Sequence, residues 1–183
     1  MKTKSRHHLR GSDARRIIAS IEPLLEDSSR LRKSSLEMAV SDEGVDIIFV
    51  DGRPLLMMVD DQPFFTVMGA IELAPQRRLV VVDAGAVRFV VNGADIMKPG
   101  IVSADTEIAI GDLVIVVEER HKKPLAIGRA LVPGAEMKGG GKGGKGEVGS
   151  EVNSEGKSES KSDGKAVKSL HHVGDTIWNS VEG

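Results

Sequence analysis

The sequence predicts an α+β fold, in which a small N-terminal α/β domain (residues 1–75) precedes a mixed β pseudo-barrel (residues 76–183). Two patterns predict it: one amphipathic helix near the N-terminus, and a series of short apolar runs separated by turn signals. The length supports it, because 183 residues with 40% hydrophobic side chains can bury the core of one domain or two small ones.

The helix is predicted from SDARRIIASIEPLL, residues 12–25. Its apolar residues recur at the spacing of one helical face, from Ile17 to Leu25. Ser12 is the expected N-cap, and Pro23 is expected to bend or shorten the end of the helix.

A β-meander is predicted after the helix. The runs SSLEMAV, VDIIFV and PLLMMV have strand character, and the turn signals SDEG and DGRP separate them. The following segment, QPFFTVMGAIEL, fits either a helix or a strand. We favour a helix from Thr66 to Ile71, because Phe64, Met68 and Ile71 share helical spacing.

Short elements alternate again in the second half of the chain. RRLVVVD reads as a strand, AGAVRFVVN as a short helix, and IGDLVIVVEERHKKPLAIGRALV as two strands joined by a charged turn. AVKSLHHVGDTIW is expected to be a last strand that returns to the barrel. Strands this short favour a compact barrel over a large open sheet.

Between these strands lies a Gly/Lys/Ser-rich segment with almost no apolar side chain, Gly134–Lys165. It cannot bury enough surface to offset the entropy of ordering, so we expect a disordered insertion at residues 134–164. A phosphate-binding loop is not favoured, because the segment lacks a preceding strand, a following helix and a GK[ST] ending.

The stretch from Asp83 to Ile101 is interrupted by glycines and a proline within core-forming residues. Asp83 is placed to cap the short helix, and Asn92 with Gly93 suits its C-terminal end. Gly85 has no local reason to be glycine, unless a backbone of the protein or of a ligand passes close by. We expect Gly93 and Ala94 to leave backbone amides exposed at the turn, although a packed corner without a ligand remains the alternative.

The net charge is only −2, but residues 1–33 carry nine Lys and Arg against four acids. Such a patch can attract phosphate or an acidic protein, or simply keep the N-terminus solvated. Its candidate residues are Arg6, Arg10, Arg15 and Arg16.

The second half resembles the PUA domain, the RNA-binding module named for pseudouridine synthases and archaeosine transglycosylases. The elements NGAD, PGI, GD and AIGRA occur in the family's order over residues 76–132, and AVKSLHHVGDTIW completes the match. The N-terminal part resembles the pre-PUA domain of archaeal proteins related to the MCT oncoprotein and ligatin translation factors. The long insertion departs from the usual pattern.

This resemblance implies a non-catalytic, cytoplasmic RNA-binding protein of translation, acting in initiation, reinitiation or ribosome recycling. The implied partners are tRNA, bound at its CCA end, or ribosomal RNA, together with the small ribosomal subunit and a partner like density-regulated protein. The implied site is the short helix, the turn after it and the neighbouring strand, where small residues would admit an RNA backbone and cations would contact phosphate. The candidate residues are Arg88, Gly93, Ala94, Asp95, Lys98, Pro99, Gly100 and Arg129.

Three alternatives were weighed. An RNA-modifying enzyme is not favoured, because about 75 residues before the PUA-like region are too few for such a fold, and the absence of cysteine excludes a thiolate nucleophile. An accessory subunit of an RNA-modification or ribosome-biogenesis complex stays open. A protein adapter could use MMVDDQPFF as a docking patch, although such a segment is more often core.

No cofactor and no metal are expected. His7 with His8, and His171 with His172, invite a zinc site, but adjacent histidines on a strand point to opposite faces. We expect His172 to be a partly buried strand residue and the first pair to belong to a solvated basic arm. Without an apolar segment that could serve as a signal or a bilayer span, the chain is expected to be soluble and not to associate with a membrane.

Overall fold

Two β-sheets, each with helices beside it, make up the part of the chain that the computed structural model describes, residues 3–41, 45–138 and 164–179. The first sheet lies in the N-terminal half and the second in the C-terminal half. The predicted boundary at residue 75 falls between the last helix of the first half and the first strand of the second. Every helix in these ranges is too short or too polar to cross a membrane.

The first sheet is an antiparallel meander in chain order. Its strands are β1 (Thr3–His8), β2 (Leu36–Ser41), β3 (Ile47–Val50), β4 (Arg53–Val59) and β5 (Gln62–Phe65). The three predicted strands are confirmed. β1 was not predicted, since TKSRHH has no apolar residue to mark an alternation. His7 and His8 are exposed to solvent as expected, but they belong to this paired strand and not to an arm.

Helix α1 (Gly11–Ile21) packs its predicted apolar face on this sheet, with Ile17, Ile18 and Ile21 buried. The predicted N-cap is wrong: the helix begins one residue before Ser12, after an extended Arg10 whose side chain makes no capping bond. Pro23 shortens the helix as expected, because a 3-10 turn (Glu22–Leu24) follows. A short helix, α2 (Ser29–Lys33), leads into β2.

The ambiguous segment forms both structures, first β5 and then helix α3 (Val67–Leu73). Thr66 caps the helix by accepting a hydrogen bond from the amide of Gly69 at 2.9 Å. The predicted apolar face is wrong, since Ile71 is half exposed. A Cβ on Gly69 would lie 1.7 Å from the carbonyl oxygen of Leu55, so the helix packs its glycine face directly on β4.

The C-terminal half contains the second sheet and three helices. Its strands are β6 (Leu79–Val82), β7 (Ile96–Met97), β8 (Ile101–Ala104), β9 (Leu113–Glu118), β10 (Pro124–Ala130) and β11 (Lys165–His172). Its helices are α4 (Ala84–Val90), α5 (Gly134–Met137) and α6 (Thr176–Asn179), and a 3-10 turn (Lys98–Gly100) joins β7 to β8. The predicted hairpin turn, the short helix and the first three predicted strands are confirmed, but the last predicted strand ends at His172, and the end of that segment forms α6.

The strand order is β7-β11-β10-β9-β6-β8, with β6 and β9 parallel and the other pairs antiparallel. The last strand therefore inserts between β10 and β7. Gly128 of β10 permits this close approach, because a Cβ there would lie 2.4 Å from Cγ1 of Val167. One face of the sheet fills the barrel core, and the other packs on the N-terminal half through Val81, Leu113 and Ile127.

The prediction that residues 134–164 are disordered is wrong for the first residues of this range. Residues 134–137 form α5, in which Met137 is fully buried in the barrel core and Gly134 fits against the carbonyl oxygen of Asp105. A single apolar residue, Met137, thus anchors α5 in the barrel core although the segment around it is polar. The remainder of the predicted insertion, residues 139–163, lies outside the described residues.

Candidate nucleic-acid interface

A groove of about 630 Å³ lies between α4 and the β7–β8 connection. Asp83 and Gly85 mark its end at the start of α4, and Lys165 of β11 lies at its other side. Phe89 and Met97 border it as exposed apolar side chains, with 53% and 41% of their surface accessible. Its remaining lining residues are Ala86, Val90, Ala94, Asp95, Ile96, Pro99 and Gly100.

The two ends of α4 are built as predicted. The carboxylate of Asp83 accepts a hydrogen bond from the amide of Ala86 at 2.8 Å, which caps the helix. At the other end, Gly93 adopts φ +80°, and its amide and that of Ala94 donate to the carbonyls of Val90 and Phe89, both at 3.0 Å. These paired bonds form a Schellman motif.

This motif corrects one expectation. The amides of Gly93 and Ala94 are not free for a ligand, because both are used to end the helix. Gly93 is also required by packing, since a Cβ on it would lie 2.7 Å from Nε2 of His172. Ala94 itself is exposed and lines the groove.

Gly85 is explained differently. No protein backbone approaches the position of a Cβ there, and the only close atom is Oδ1 of Asp83 at 3.2 Å. The residue is exposed at the groove. The need for glycine at this position therefore does not come from packing within the described part of the protein.

Asp95 fastens the turn after α4 to β11. Its carboxylate accepts a hydrogen bond from the amide of Ser169 at 3.0 Å and pairs with Nζ of Lys165 at 3.2 Å. The hydrogen bond from Ser169, aided by Lys165, lowers the pKa of Asp95 below its ordinary value. Asp95 is thus an ionised structural tie that also lines the groove.

Arg88 and Lys98 border the groove without a carboxylate partner in the described residues. The guanidinium of Arg88 lies over the ring of Phe89, 4.6 Å from its centroid. Lys98 begins the 3-10 turn and is partly exposed. Both positions suit a contact with phosphate.

The structure does not bring Arg129 to this groove. It lies on the face of β10 that packs on the N-terminal half, where its guanidinium donates to the carboxylate of Asp60 at 2.6 Å and to the carbonyl of Gly111 at 2.9 Å. Sequence reasoning could not identify these partners, which are distant along the chain.

The N-terminal candidate residues are also apart from the groove, on β1 and α1. Arg6 pairs with Glu37 at 2.5 Å and lies 3.9 Å from the centroid of the Phe49 ring, and Arg16 lies 3.7 Å from Asp13. Arg10 and Arg15 have no ion pair within the described part of the chain. The charges of Arg6 and Arg16 are therefore partly neutralised by their carboxylate partners.

The histidines and the MMVDDQPFF segment have structural roles. His171 is buried, with its Nδ1 2.7 Å from Asp175, while His172 is partly buried as expected. No group of metal-binding side chains occurs in the residues that the structure covers. Met57, Phe64 and Phe65 are core residues, which confirms the preferred interpretation of that segment.

Sequence reasoning missed Phe89 as a site residue. The sequence contains only four phenylalanines and no tyrosine, which gives little reason to expect an exposed ring at the site. Phe64 and Phe65 are buried and Phe49 lies in the first sheet, so Phe89 is the phenylalanine that reaches solvent at the groove. The adjacent Arg88 was the only available signal.

Comparisons with known proteins show which proteins this chain resembles. The profile of a family described as "PUA domain" matches residues 78–148. The uncharacterized protein MJ1432 of Methanocaldococcus jannaschii is 38% identical over 181 residues, which cover 98% of each chain. The crystal structure of hypothetical protein PH0734.1 from Pyrococcus horikoshii superimposes with a TM-score of 0.76 at 34% identity, covering 97% of this chain and 99% of the other.

More distant relatives are eukaryotic. Translation machinery-associated protein 20 of Saccharomyces cerevisiae is 27% identical over 158 residues, covering 82% of this chain and 76% of that protein. Malignant T-cell-amplified sequence 2 of Mus musculus is 24% identical over 166 residues, covering 87% and 78%. The expected kinship with the MCT oncoprotein family is confirmed.

Proposed function

The chain is a PUA-domain protein, belonging with the archaeal proteins MJ1432 and PH0734.1, and from this premise we propose that it binds RNA through the groove beside α4. The RNA is tRNA or ribosomal RNA, and the protein acts without catalysing a reaction on it. The observation that carries the proposal is the combination of an exposed aromatic ring, an apolar groove and unpaired cations at its rim.

Each part of the groove suits one part of a nucleotide. The exposed ring of Phe89 offers a face on which one base can stack. The small side chains of Ala94 and Gly100 leave room for a ribose close to the main chain. Arg88 and Lys98 supply positive charge for phosphate.

The two carboxylates that line the groove restrict how a bound nucleotide can be oriented in it. Asp83 and Asp95 both line it, and Asp95 is held ionised by its hydrogen bond from Ser169 and its pair with Lys165. A phosphate would be repelled from them, so phosphates belong at the rim formed by Arg88 and Lys98. The base and the ribose then occupy the interior, which favours an unpaired nucleotide over a duplex.

The setting in translation is supported by kinship. The yeast relative is named a translation machinery-associated protein, and this chain aligns with most of its length. We place this protein in the same setting, with the CCA end of tRNA as the first ligand to test.

The test uses Ala94→Glu, which adds bulk and negative charge at an exposed position in the groove. Ala19→Glu, at an exposed position of α1, is the matched control, since it makes the same change of charge away from the groove. Labelled tRNA, with and without its CCA end, is titrated against wild type and both variants, with thermal melts as the control for folding.

Ala94→Glu should weaken binding at least about tenfold while melting like wild type, and Ala19→Glu should bind like wild type. Equal binding by all three proteins would show that the groove is not the RNA site. Nucleoside analysis of tRNA and ribosomal RNA after incubation should find every base unchanged. A pseudouridine or an exchanged base formed by the purified chain would contradict the non-catalytic role.

A further inference from the structure

The turn between β9 and β10 presents four basic residues together, Arg120, His121, Lys122 and Lys123, which we call the cationic turn. All four are exposed. The carboxylate of Glu118 accepts hydrogen bonds from the amides of Arg120 at 2.8 Å, His121 at 2.6 Å and Lys123 at 3.2 Å. The carboxylate of Glu118 therefore organises the backbone of the turn, while the basic side chains extend into solvent.

The backbone of the turn is strained at a lysine. Lys122 adopts φ +56°, a left-handed conformation that glycine reaches freely and other residues adopt at a cost. Glycine would be the least strained choice at this position. The sequence instead places there a cation without a partner carboxylate in the described residues.

The cationic turn lies beside the groove. β6 and β9 run parallel with Val82 opposite Glu118, so the residues that follow Val82 lie next to the start of the turn. Those residues include Asp83 and Gly85, which line one end of the groove. Glu119 is near enough for its carboxylate to accept from the amide of Ala84 at 3.4 Å. Neighbouring strands are about 4.8 Å apart, so the turn and this end of the groove are adjacent.

Several cations of the C-terminal half pair with carboxylates. Away from the groove, Arg77 pairs with Glu107, Arg78 with Asp112 and Arg129 with Asp60, and at the groove Lys165 pairs with Asp95. Within the described residues, no carboxylate pairs with Arg120, Lys122 or Lys123, and the same holds for Arg88 and Lys98 beside the groove. The exception is His121 of the turn, whose Nδ1 lies 3.7 Å from a carboxylate oxygen of Glu118. That carboxylate also accepts hydrogen bonds from three backbone amides. The groove rim and the turn thus both present cations that have no carboxylate partner in the described residues.

We propose that the cationic turn binds phosphate groups of the RNA strand beyond the groove, after the strand has passed the Asp83 end, whose carboxylate keeps phosphates out of the groove itself. The proposal rests on the proposed function, since it extends the same RNA along the surface. The partner is the RNA backbone, because a cluster of unpaired, solvent-exposed cations contacts phosphate without reading a base. The groove selects an unpaired nucleotide, and the turn adds affinity that does not depend on sequence.

The experiment removes the charges of the turn and keeps its shape. The triple variant Arg120→Gln, Lys122→Gly, Lys123→Gln retains Glu118, and the glycine relieves the left-handed strain. The matched control is Arg30→Gln, Lys33→Gln, Arg77→Gln, which removes three exposed cations that belong neither to the groove, nor to the turn, nor to the N-terminal basic patch. Both are titrated with unfractionated tRNA at several salt concentrations, beside wild type and Ala94→Glu.

The turn variant should bind tRNA about tenfold more weakly, and its slope of log affinity against log salt should be shallower by about 2, since each lost phosphate contact contributes about 0.7 to 0.9. The control should keep the wild-type slope. Acetylation of lysines, read by mass spectrometry, should show Lys122 and Lys123 protected by tRNA and Lys33 equally reactive with and without it.

The outcomes separate the two proposals. If Ala94→Glu loses binding but the turn variant binds like wild type, the groove binds RNA and the turn does not. If the turn variant and the control lose affinity equally, net charge is responsible and the turn has no specific role. If Ala94→Glu binds like wild type while the turn variant loses affinity, the groove proposal fails and the turn belongs to an RNA surface elsewhere.

Discussion

The imidazole of His172 occupies the space that a side chain on Gly93 would need: a Cβ on Gly93 would lie 2.7 Å from Nε2 of His172. The ring is itself positioned by the contact between its Nδ1 and the carbonyl of Val173 at 3.0 Å. The turn after α4 and the end of β11, about 80 residues apart along the chain, are thus packed against each other at a glycine with φ +80°. This contact fixes one edge of the groove.

Gly93→Ala should therefore lower the free energy of unfolding by about 1–3 kcal/mol, because alanine must adopt a left-handed conformation and displace the imidazole. The steric part should vanish in a His172→Ala background, where the same substitution should cost only the conformational share of about 1–2 kcal/mol. Urea unfolding of the four proteins measures this cycle. Identical costs in both backgrounds would mean that the contact carries no energy.

Phe89→Ala should reduce RNA affinity without reducing stability. The ring is 53% exposed, so its removal should change the free energy of unfolding by less than about 0.5 kcal/mol, whereas loss of a stacked base should cost about 1–3 kcal/mol of binding. Ile71→Ala is the control, since that side chain is 50% exposed on α3, away from the groove. If the two variants bind tRNA equally well, Phe89 is not a stacking residue.

Arg129→Ala should reduce stability and leave RNA binding intact. The substitution removes the ion pair with Asp60 and the hydrogen bond to Gly111, which together should contribute about 1–2 kcal/mol. Asp60→Ala should cost less, because it leaves the bond to Gly111 in place. Urea unfolding and tRNA titration at several salt concentrations are the measurements. A shallower salt slope for Arg129→Ala than for wild type would return Arg129 to the RNA surface.

Asp175 should make the last helix sensitive to acid. Burial opposes its charge, but the hydrogen bond with His171 and those from the amides of Trp178 and His172 outweigh burial and lower the pKa of Asp175. Because the folded pKa is below the unfolded value of about 3.9, its contribution is fully present above that pH and is lost as the pH falls towards the lower folded pKa.

The measurement is urea unfolding of wild type and Asp175→Asn between pH 7 and pH 2.5, followed by Trp178, the only tryptophan of the chain. The variant should be less stable at pH 7, and the difference should shrink below about pH 4. A difference that stays constant across this range would show that the ionised carboxylate is not the source of the stability.

Two deletions should distinguish the contribution of α5 to stability from that of residues 139–163 of the Gly/Lys/Ser-rich segment. Replacing residues 139–163 by a short linker should change stability little, because loop closure entropy varies slowly with length. Deleting residues 134–163 should cost about 2–5 kcal/mol more, because it removes Met137 from the barrel core. Thermal melts compare the two. Equal melting temperatures would mean that α5 contributes nothing, and failure of the shorter deletion to fold would show that residues 139–163 are structural.

Features whose physical causes lie within a few residues could be predicted from the amino-acid sequence. The apolar runs of β2 to β4 between turn signals, the apolar face of α1, the cap at Asp83 and the left-handed Gly93 all depend on local spacing, local hydrogen bonds or a φ that favours glycine. The family motifs add a groove beside α4, because they include the residues that build it. Signals of this kind can be read without knowing which elements pack together.

Features that depend on partners distant along the chain could be seen only in the folded protein. The side chain of Arg129 donates hydrogen bonds to Asp60 and Gly111, and β11 inserts between β10 and β7. Met137 is a core residue, although a disordered segment was expected around it. The exposure of Phe89 and the position of the cationic turn beside Asp83 are of the same kind. Sequence patterns constrain neighbours along the chain, whereas a long side chain, a strand order and an exposed face are set by whatever the fold brings against them, and for this reason the contacts of the site became visible only in three dimensions.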